Sequence, residues 1–185
     1  MGAVDSRPRL HNHRPERRVN DGIDFHAETP APFTVRRLTR GDRTYRLASA
    51  GHGTPGTVCV IRLGDGYLIG RHWRPVDGKE HWEFPRGMGQ PGETPEQTAA
   101  RECLEETGAV AGSIVELGRI HADSGALDDD VRVMLMDVAR WERATDDELS
   151  GSRFLLASEI DMLIALGEVD DSPTLAAWML ARLRA

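Results

Sequence analysis

The chain has 185 residues, 39% hydrophobic and 29% charged, with a net charge of −7, which suits one domain with a substantial core plus some terminal sequence. No apolar run approaches the ~20 residues needed to cross a bilayer, and the first thirty residues lack the apolar stretch of a signal peptide, so a cytoplasmic protein without a membrane partner is expected. Residues 121–185 hold fourteen Asp/Glu against six Lys/Arg, which excludes the basic footprint that broad adhesion to nucleic acid requires.

Residues 1–30 read as a tail: Arg7, Arg9, Arg14, Arg17 and Arg18 are mixed with acids, His11 and His13, and little apolar periodicity. The folded domain is expected over 31–185. Val35–Leu38 and Thr44–Leu47 flank Gly41-Asp42 as a hairpin. Thr57–Leu63 is a β-rich run closed by Gly64-Asp65-Gly66, and Tyr67–Gly70 returns from it as a second hairpin. Thr94-Pro95-Glu96-Gln97 has the grammar of a helix start, with Thr94 as N-cap, Pro95 at the first helical position and Gln97 completing a capping box. Gly108 is a natural stop, so Pro95–Thr107 is predicted as a helix. Ile114–Ile120 and Val131–Val138 follow as strands. Ala157–Leu166 and Thr174–Leu183 follow as helices, the second entered through Ser172-Pro173. Strands, helix, strands, helices in that order imply an α/β or α+β sandwich. Cys59 and Cys103, each among apolar neighbours, read as small core residues rather than a disulfide or zinc framework.

The chemistry is concentrated in the first helix. At 100° per residue, Glu102, Glu105 and Glu106 fall in one sector, while Ala100, Cys103, Leu104 and Thr107 lie opposite, where they can pack on a sheet. Carboxylates at i, i+3 and i+4 repel one another by a few tenths of a kcal/mol per pair, a sign that a divalent cation reverses. Alone, the pattern favours a solvated acidic face. Arg101, four residues before Glu105, can help to hold that carboxylate.

The wider frame decides between these readings. Gly87, five residues, Glu93, seven residues, then Arg101-Glu102-Cys103-Leu104-Glu105-Glu106-Thr107-Gly108-Ala109 resembles the Nudix box, G-x5-E-x7-R-E-U-x-E-E-x-G-U. All seven specified polar or Gly positions match, a coincidence on the order of one in a million for a chain of ordinary composition. Cys103 and Ala109 stand where bulkier aliphatics are usual. The resemblance implies the Nudix fold, an α/β/α sandwich with a mixed sheet and a loop-helix-loop. It also implies a hydrolase that cuts a diphosphate in a nucleotide derivative with Mg2+, for which Mn2+ can substitute. Glu105 and Glu106 would be the main metal ligands, with Glu102 and the Gly87 carbonyl beside them, and Glu93 and Arg101 would form a structural salt bridge.

Arg71-His72-Trp73-Arg74-Pro75 and Trp82-Glu83-Phe84-Pro85-Arg86-Gly87 resemble the ADP-ribose and nucleotide-sugar pyrophosphatase branch. In that setting Trp73 and Trp82 can stack on a nucleobase or pack in a core or dimer contact, and Arg74 can meet a phosphate. The branch usually carries a Pro in a turn past the box. Here Ala122-Asp123-Ser124-Gly125 lacks it, which leaves another nucleoside diphosphate sugar open. The general base implied is Glu102, or Glu148 (with Asp147 beside it) from an acidic loop; Asp128-Asp129-Asp130 reads more simply as a charged turn. Residues 33–55 would supply homodimerisation strands. Two alternatives remain: a house-cleaning nucleoside triphosphate diphosphatase, and a catalytically silent Nudix module that senses a nucleotide.

Overall fold

The computed structural model describes residues 22–27, 33–51, 53–146 and 148–184, with the backbone alone for 22–27. Three strands, β1 (Gly22–Ala27), β2 (Phe33–Arg40) and β3 (Arg43–Ala50), form a small antiparallel sheet. β2 and β3 are the hairpin expected around Gly41-Asp42; Gly41 takes φ 64°, the positive value that a two-residue hairpin turn favours. β1 lies within the stretch read as a tail. Ladder pairing uses backbone groups, so an edge strand forms without the apolar alternation that sequence reading looks for. The basic and histidine-bearing residues up to 21 lie outside the described residues.

The main sheet is built from β4 (Gly56–Leu63), β5 (Gly66–Arg74), β8 (Ala109–Ile120), β9 (Val131–Trp141) and β10 (Leu149–Leu156), in the order β10-β5-β4-β9-β8. Two short strands complete it: β6 (Lys79–Glu83) on β5 and β7 (Arg86–Gly87) on β4. β4 and β9 run parallel and the other pairs antiparallel, so the sheet is mixed.

Alternation along the central strands makes two cores. Val58 and Val60 of β4, Tyr67 and Ile69 of β5 and Val133 of β9 pack against α2 (Ala157–Ala165) and α3 (Ser172–Arg184), with Ile160, Ala177 and Trp178. Cys59, Ile61, Leu68, Met134 and Met136 turn the other way and meet Ala99 and Cys103 of α1 (Pro95–Thr107). A strand buried on both faces reads as a continuous apolar run, which is how Thr57–Leu63 appears in the sequence. The result is an α/β/α sandwich with the two cysteines in one core.

α1 has the caps its sequence announces. Thr94 accepts from the Gln97 amide at 3.3 Å, its own amide donates to the Gln97 side chain at 2.8 Å, and Gly108 is left-handed at φ 77°. A Cβ at position 108 would fall 2.1 Å from the Glu142 carbonyl oxygen, so glycine is required there twice over. The helix differs from expectation in its roll. Its buried residues are Thr98, Ala99, Cys103 and Glu106. Of Ala100, Cys103, Leu104 and Thr107, only Cys103 is fully buried. The packing face is turned by about a quarter of the helix circumference, and it carries one carboxylate inward.

Candidate active site

The site begins where β7 crosses the end of β4. Gly87 pairs with Thr57, and a Cβ at Gly87 would lie 2.0 Å from the Glu102 carboxyl group. Glycine is the residue that lets this backbone and the Glu102 carboxylate occupy neighbouring space. Gly56 and Gly89 are also tight: a Cβ at the first would meet the Gly87 carbonyl oxygen at 3.1 Å, at the second the Pro55 carbonyl oxygen at 2.5 Å.

Arg101 organises the loop and helix. Its Nε donates to Glu93 Oε1 at 2.8 Å, and Nη2 donates to Glu93 Oε2 at 3.0 Å and to the Met88 carbonyl at 2.9 Å. Nη1 donates to Glu102 Oε1 at 2.8 Å and to Glu105 Oε2 at 2.9 Å. Every N–H of the guanidinium therefore has an acceptor. Glu93 also accepts from Thr98 Oγ1 and the Gln90 amide, at 3.0 and 2.8 Å. These donors, Arg101 first, hold the Glu93 carboxyl down to about 2.

The three glutamates of the acidic face have different surroundings. Glu105 is the most exposed, and its backbone carbonyl accepts the amides of Thr145 and Asp146, tying the following acidic loop to the helix. Glu102 is mostly buried, and burial raises its carboxyl above the ordinary range despite Arg101. Glu106 is 4% exposed. Its Oε1 accepts the Arg86 amide at 3.3 Å, and its buried Oε2 has no hydrogen-bond partner. Burial, then the Glu102 charge, push its carboxyl up to about 8. Among the described residues no group of three or more His, Cys, Asp or Glu is already gathered at ligating distance. The orphaned Glu106 oxygen, the adjacent Glu102 carboxylate and the Gly87 backbone form an all-oxygen donor set of the kind hard divalent cations take.

These residues form one wall of a cavity of about 550 Å³. Glu102, Gly87 and Arg101 line it, and so does Glu148, which stands just before β10. Asp147, the other acid considered there, lies outside the described residues. Arg74 and Arg86 line the same cavity. Both pair with Glu83, which is 1% exposed: Arg74 through Nε at 2.8 Å and through Nη2, Arg86 through Nη2 at 3.0 Å. Arg86 Nη2 also reaches Asp171 at 3.2 Å, and Asp171 accepts the Thr174 amide in the first turn of α3. A buried carboxylate thus fixes two arginines at the cavity.

The tryptophans are separate from this cavity. Side chains alternate along β5, so His72 and Arg74 line the cavity and Trp73 between them does not. Trp73 is 56% exposed. Trp82 is buried in the α2/α3 core, with the guanidinium carbons of Arg71 and Arg153 at 4.4 and 4.6 Å from its ring centroid. The core reading considered for Trp82 describes its position; neither indole faces the cavity. Sequence reasoning passed over His72, Glu83, Arg86 and Asp171. For Arg74, His72 and Arg86, the period-two alternation of β5 and the step from Pro85 into Gly87 were available signals; Asp171 approaches only through the fold.

Comparison with known proteins agrees with this arrangement. The NUDIX domain family model matches residues 53–177, more than half of the chain, and the chain belongs to that family. The class is that of Nudix hydrolases, diphosphatases that typically work with a divalent cation. The ADP-ribose pyrophosphatase of Bacillus subtilis is 28% identical over 141 residues, covering 70% of this chain and 74% of that protein. A Mycobacterium tuberculosis protein provisionally named mutator protein MutT4 is 38% identical over 104 residues, which span 50% of this chain but only 40% of the relative's length. A crystal structure of an ADP compounds hydrolase superposes with a TM-score of 0.73 at 16% identity, covering 89% of this chain and 92% of that one; at that identity the likeness is one of fold. No helix among the described residues is long and apolar enough to cross a membrane.

The Glu93–Arg101 pair has a defined pH signature. A carboxyl lowered from 4.5 to about 2 on folding contributes stability that is fully present above about pH 4.5 and is lost as pH falls towards 2. In Glu93→Gln that contribution is gone, so its unfolding free energy should fall less steeply than the wild type's between those values. Denaturant melts at several pH values measure this; parallel slopes would refute the assignment.

Proposed function

We propose that this chain hydrolyses the diphosphate of a nucleoside diphosphate joined to a sugar, ADP-ribose or a nucleotide sugar, to a nucleoside monophosphate and a sugar phosphate. The observation that carries the reading is Glu106, a buried carboxyl group that feels the charge of Glu102, accepts the Arg86 amide through one oxygen and leaves the other unpartnered; Glu102, Gly87, Arg74 and Arg86 all line the adjoining cavity. Glu106, Glu105, Glu102 and the Gly87 carbonyl would hold Mg2+, or Mn2+ in its place. A divalent cation there offsets phosphate charge and favours deprotonation of water.

The chain's own groups supply the rest. Arg74, clamped by Glu83, faces the diphosphate with its remaining donors and fixes its register. Glu93 and Arg101 keep the loop closed on the helix so that Gly87 and Glu102 stay in contact. Glu148 is the better-placed base: its carboxylate is 65% exposed at the cavity, whereas Glu102 is mostly buried and its Oε1 is already engaged by the Arg101 guanidinium. Support for the ADP-ribose type comes from the Bacillus subtilis relative. The turn at 122–125, where Ala122 lines the cavity and no Pro is present, keeps other nucleotide sugars in the substrate class.

A panel of ADP-ribose, nucleotide sugars and nucleoside triphosphates, with Mg2+ or Mn2+ and analysis of the phosphate products, tests the reading. Turnover of the sugar-linked diphosphates is expected, with chelation abolishing it. Triphosphate turnover alone would replace the proposal with the house-cleaning alternative, and binding without turnover would replace it with a sensing module. Glu106→Gln tests the metal helix: turnover should fall by orders of magnitude, while above about pH 8, where the buried carboxyl carries its charge, the chelated variant should have a thermal midpoint no lower than the wild type's. A midpoint that drops would mean that Glu106 serves the fold. We further propose that residues 33–55, which place Phe33 and Tyr45 at the surface of the small sheet, mediate a homodimer. Size-exclusion chromatography with light scattering should give twice the 20.4 kDa chain mass, and a monomer would exclude it.

A further inference from the structure

His72 is absent from the family pattern of the box, yet it stands beside the group proposed as base. Its side chain is 12% exposed, and it lines the same cavity as Glu102 and Glu148. In the β5–β10 ladder its register partner is Leu149, the residue after Glu148, so strand pairing brings the backbones of the two residues close together. His72 Nε2 lies 3.8 Å from Glu148 Oε2, a gap that a small side-chain rotation converts into a hydrogen bond. Within its own turn the Glu148 amide donates to Asp146 Oδ1 at 3.3 Å.

The imidazole is surrounded by charge of both signs, from Arg74 on β5, Glu83 on β6, Arg86 on β7 and Glu148 before β10. Burial first, and then Arg74, hold its pKa below the ordinary histidine value. A neutral ring can donate one N–H to a carboxylate without a full positive charge beside it. Such a donor can orient the carboxylate without neutralising it, whereas Glu102 is held by a guanidinium. The two cavity carboxylates thus differ in the kind of partner each has, one cationic and one neutral.

We propose that His72 is a positioning residue that holds the Glu148 carboxylate over the cavity in the orientation needed for water activation, an inference that rests on the reading of Glu148 as base. His72 contacts neither the diphosphate nor an ion; it acts through Glu148.

The test is a double-mutant cycle with ADP-ribose and Mg2+, built from His72→Ala, His72→Gln, Glu148→Gln and the double variant His72→Ala/Glu148→Gln, with thermal midpoints alongside. His72→Ala should lower kcat by about tenfold to a hundredfold and leave KM within about twofold. His72→Gln, which keeps a donor of similar reach, should recover most of the loss. In the Glu148→Gln background, removal of His72 should cost nothing further. An equal loss in both backgrounds, or a change confined to KM, would overturn the positioning role while leaving Glu148 as base. Unchanged kcat in Glu148→Gln would instead overturn the base assignment itself, and this inference with it.

Discussion

The five donors of Arg101 are the constraint on which the site depends. One guanidinium closes the loop through Glu93 and the Met88 carbonyl and at the same time engages two of the three glutamates on the helix face. A lysine could replace the charge but not the geometry, because a single ammonium cannot present a planar fork to Glu93 while donating sideways to Glu102 and Glu105. The pairing also answers an electrostatic problem. Glu102, Glu105 and Glu106 repel on the helix surface, and without a cation among them the helix would carry that repulsion into its contact with the sheet. Glu106 lies beyond the guanidinium's reach and is left with an orphan oxygen. The unmet demand for positive charge is therefore concentrated at one buried atom.

A second buried anchor mirrors the first with the signs exchanged. Glu83, fully buried, serves Arg74 and Arg86 as Arg101 serves its carboxylates, and Asp171 extends the pairing to the start of α3. Burying a charge is tolerable only when it is paired, and here the pairing holds Arg74 and Arg86 at the cavity that Glu102, Gly87 and Arg101 also line. The cavity thus carries fixed groups of both signs, without recourse to the overall charge of an acidic protein.

How much of this was legible in the sequence follows from the range of each interaction. The helix, its two caps and the pairing of Glu93 with Arg101 depend on residues within fifteen positions of one another; local spacing carried the helix and its caps, and the resemblance to the box implied the pair. The central strands were equally plain, since burial on both faces leaves an unbroken apolar run. What the sequence could not convey was the helix roll, which is set by where β7 delivers the Arg86 amide to Glu106 rather than by which helical residues are apolar. The polar strands β6 and β10 were missed for a related reason: their pairing is carried by the backbone, and β10 is interrupted by a register shift near Gly151. Trp73 and Trp82 drew attention because aromatic side chains near a box suggest stacking. The parity of β5 turns Trp73 away from the cavity, and Trp82 was taken into the core.

The same logic explains why the box leaves the leaving group undecided. Its residues Gly87, Arg101 and Glu102 line the cavity at the place proposed for the diphosphate, which every candidate substrate shares. Beyond them the lining comes from Gly51 after β3 and from Ala122 in the loop that leads into β9. These two segments are bound to each other: the Ala48 amide donates to Ala126, the Asp128 amide donates to Ala48, and Arg36 pairs with Asp128. A change in the small sheet is therefore transmitted to the 122–130 loop and to the part of the cavity that the sugar or base would occupy. Reaction class and substrate choice are encoded in different stretches of the chain, one short and internally constrained, the other assembled from pieces some eighty residues apart that cohere only after folding.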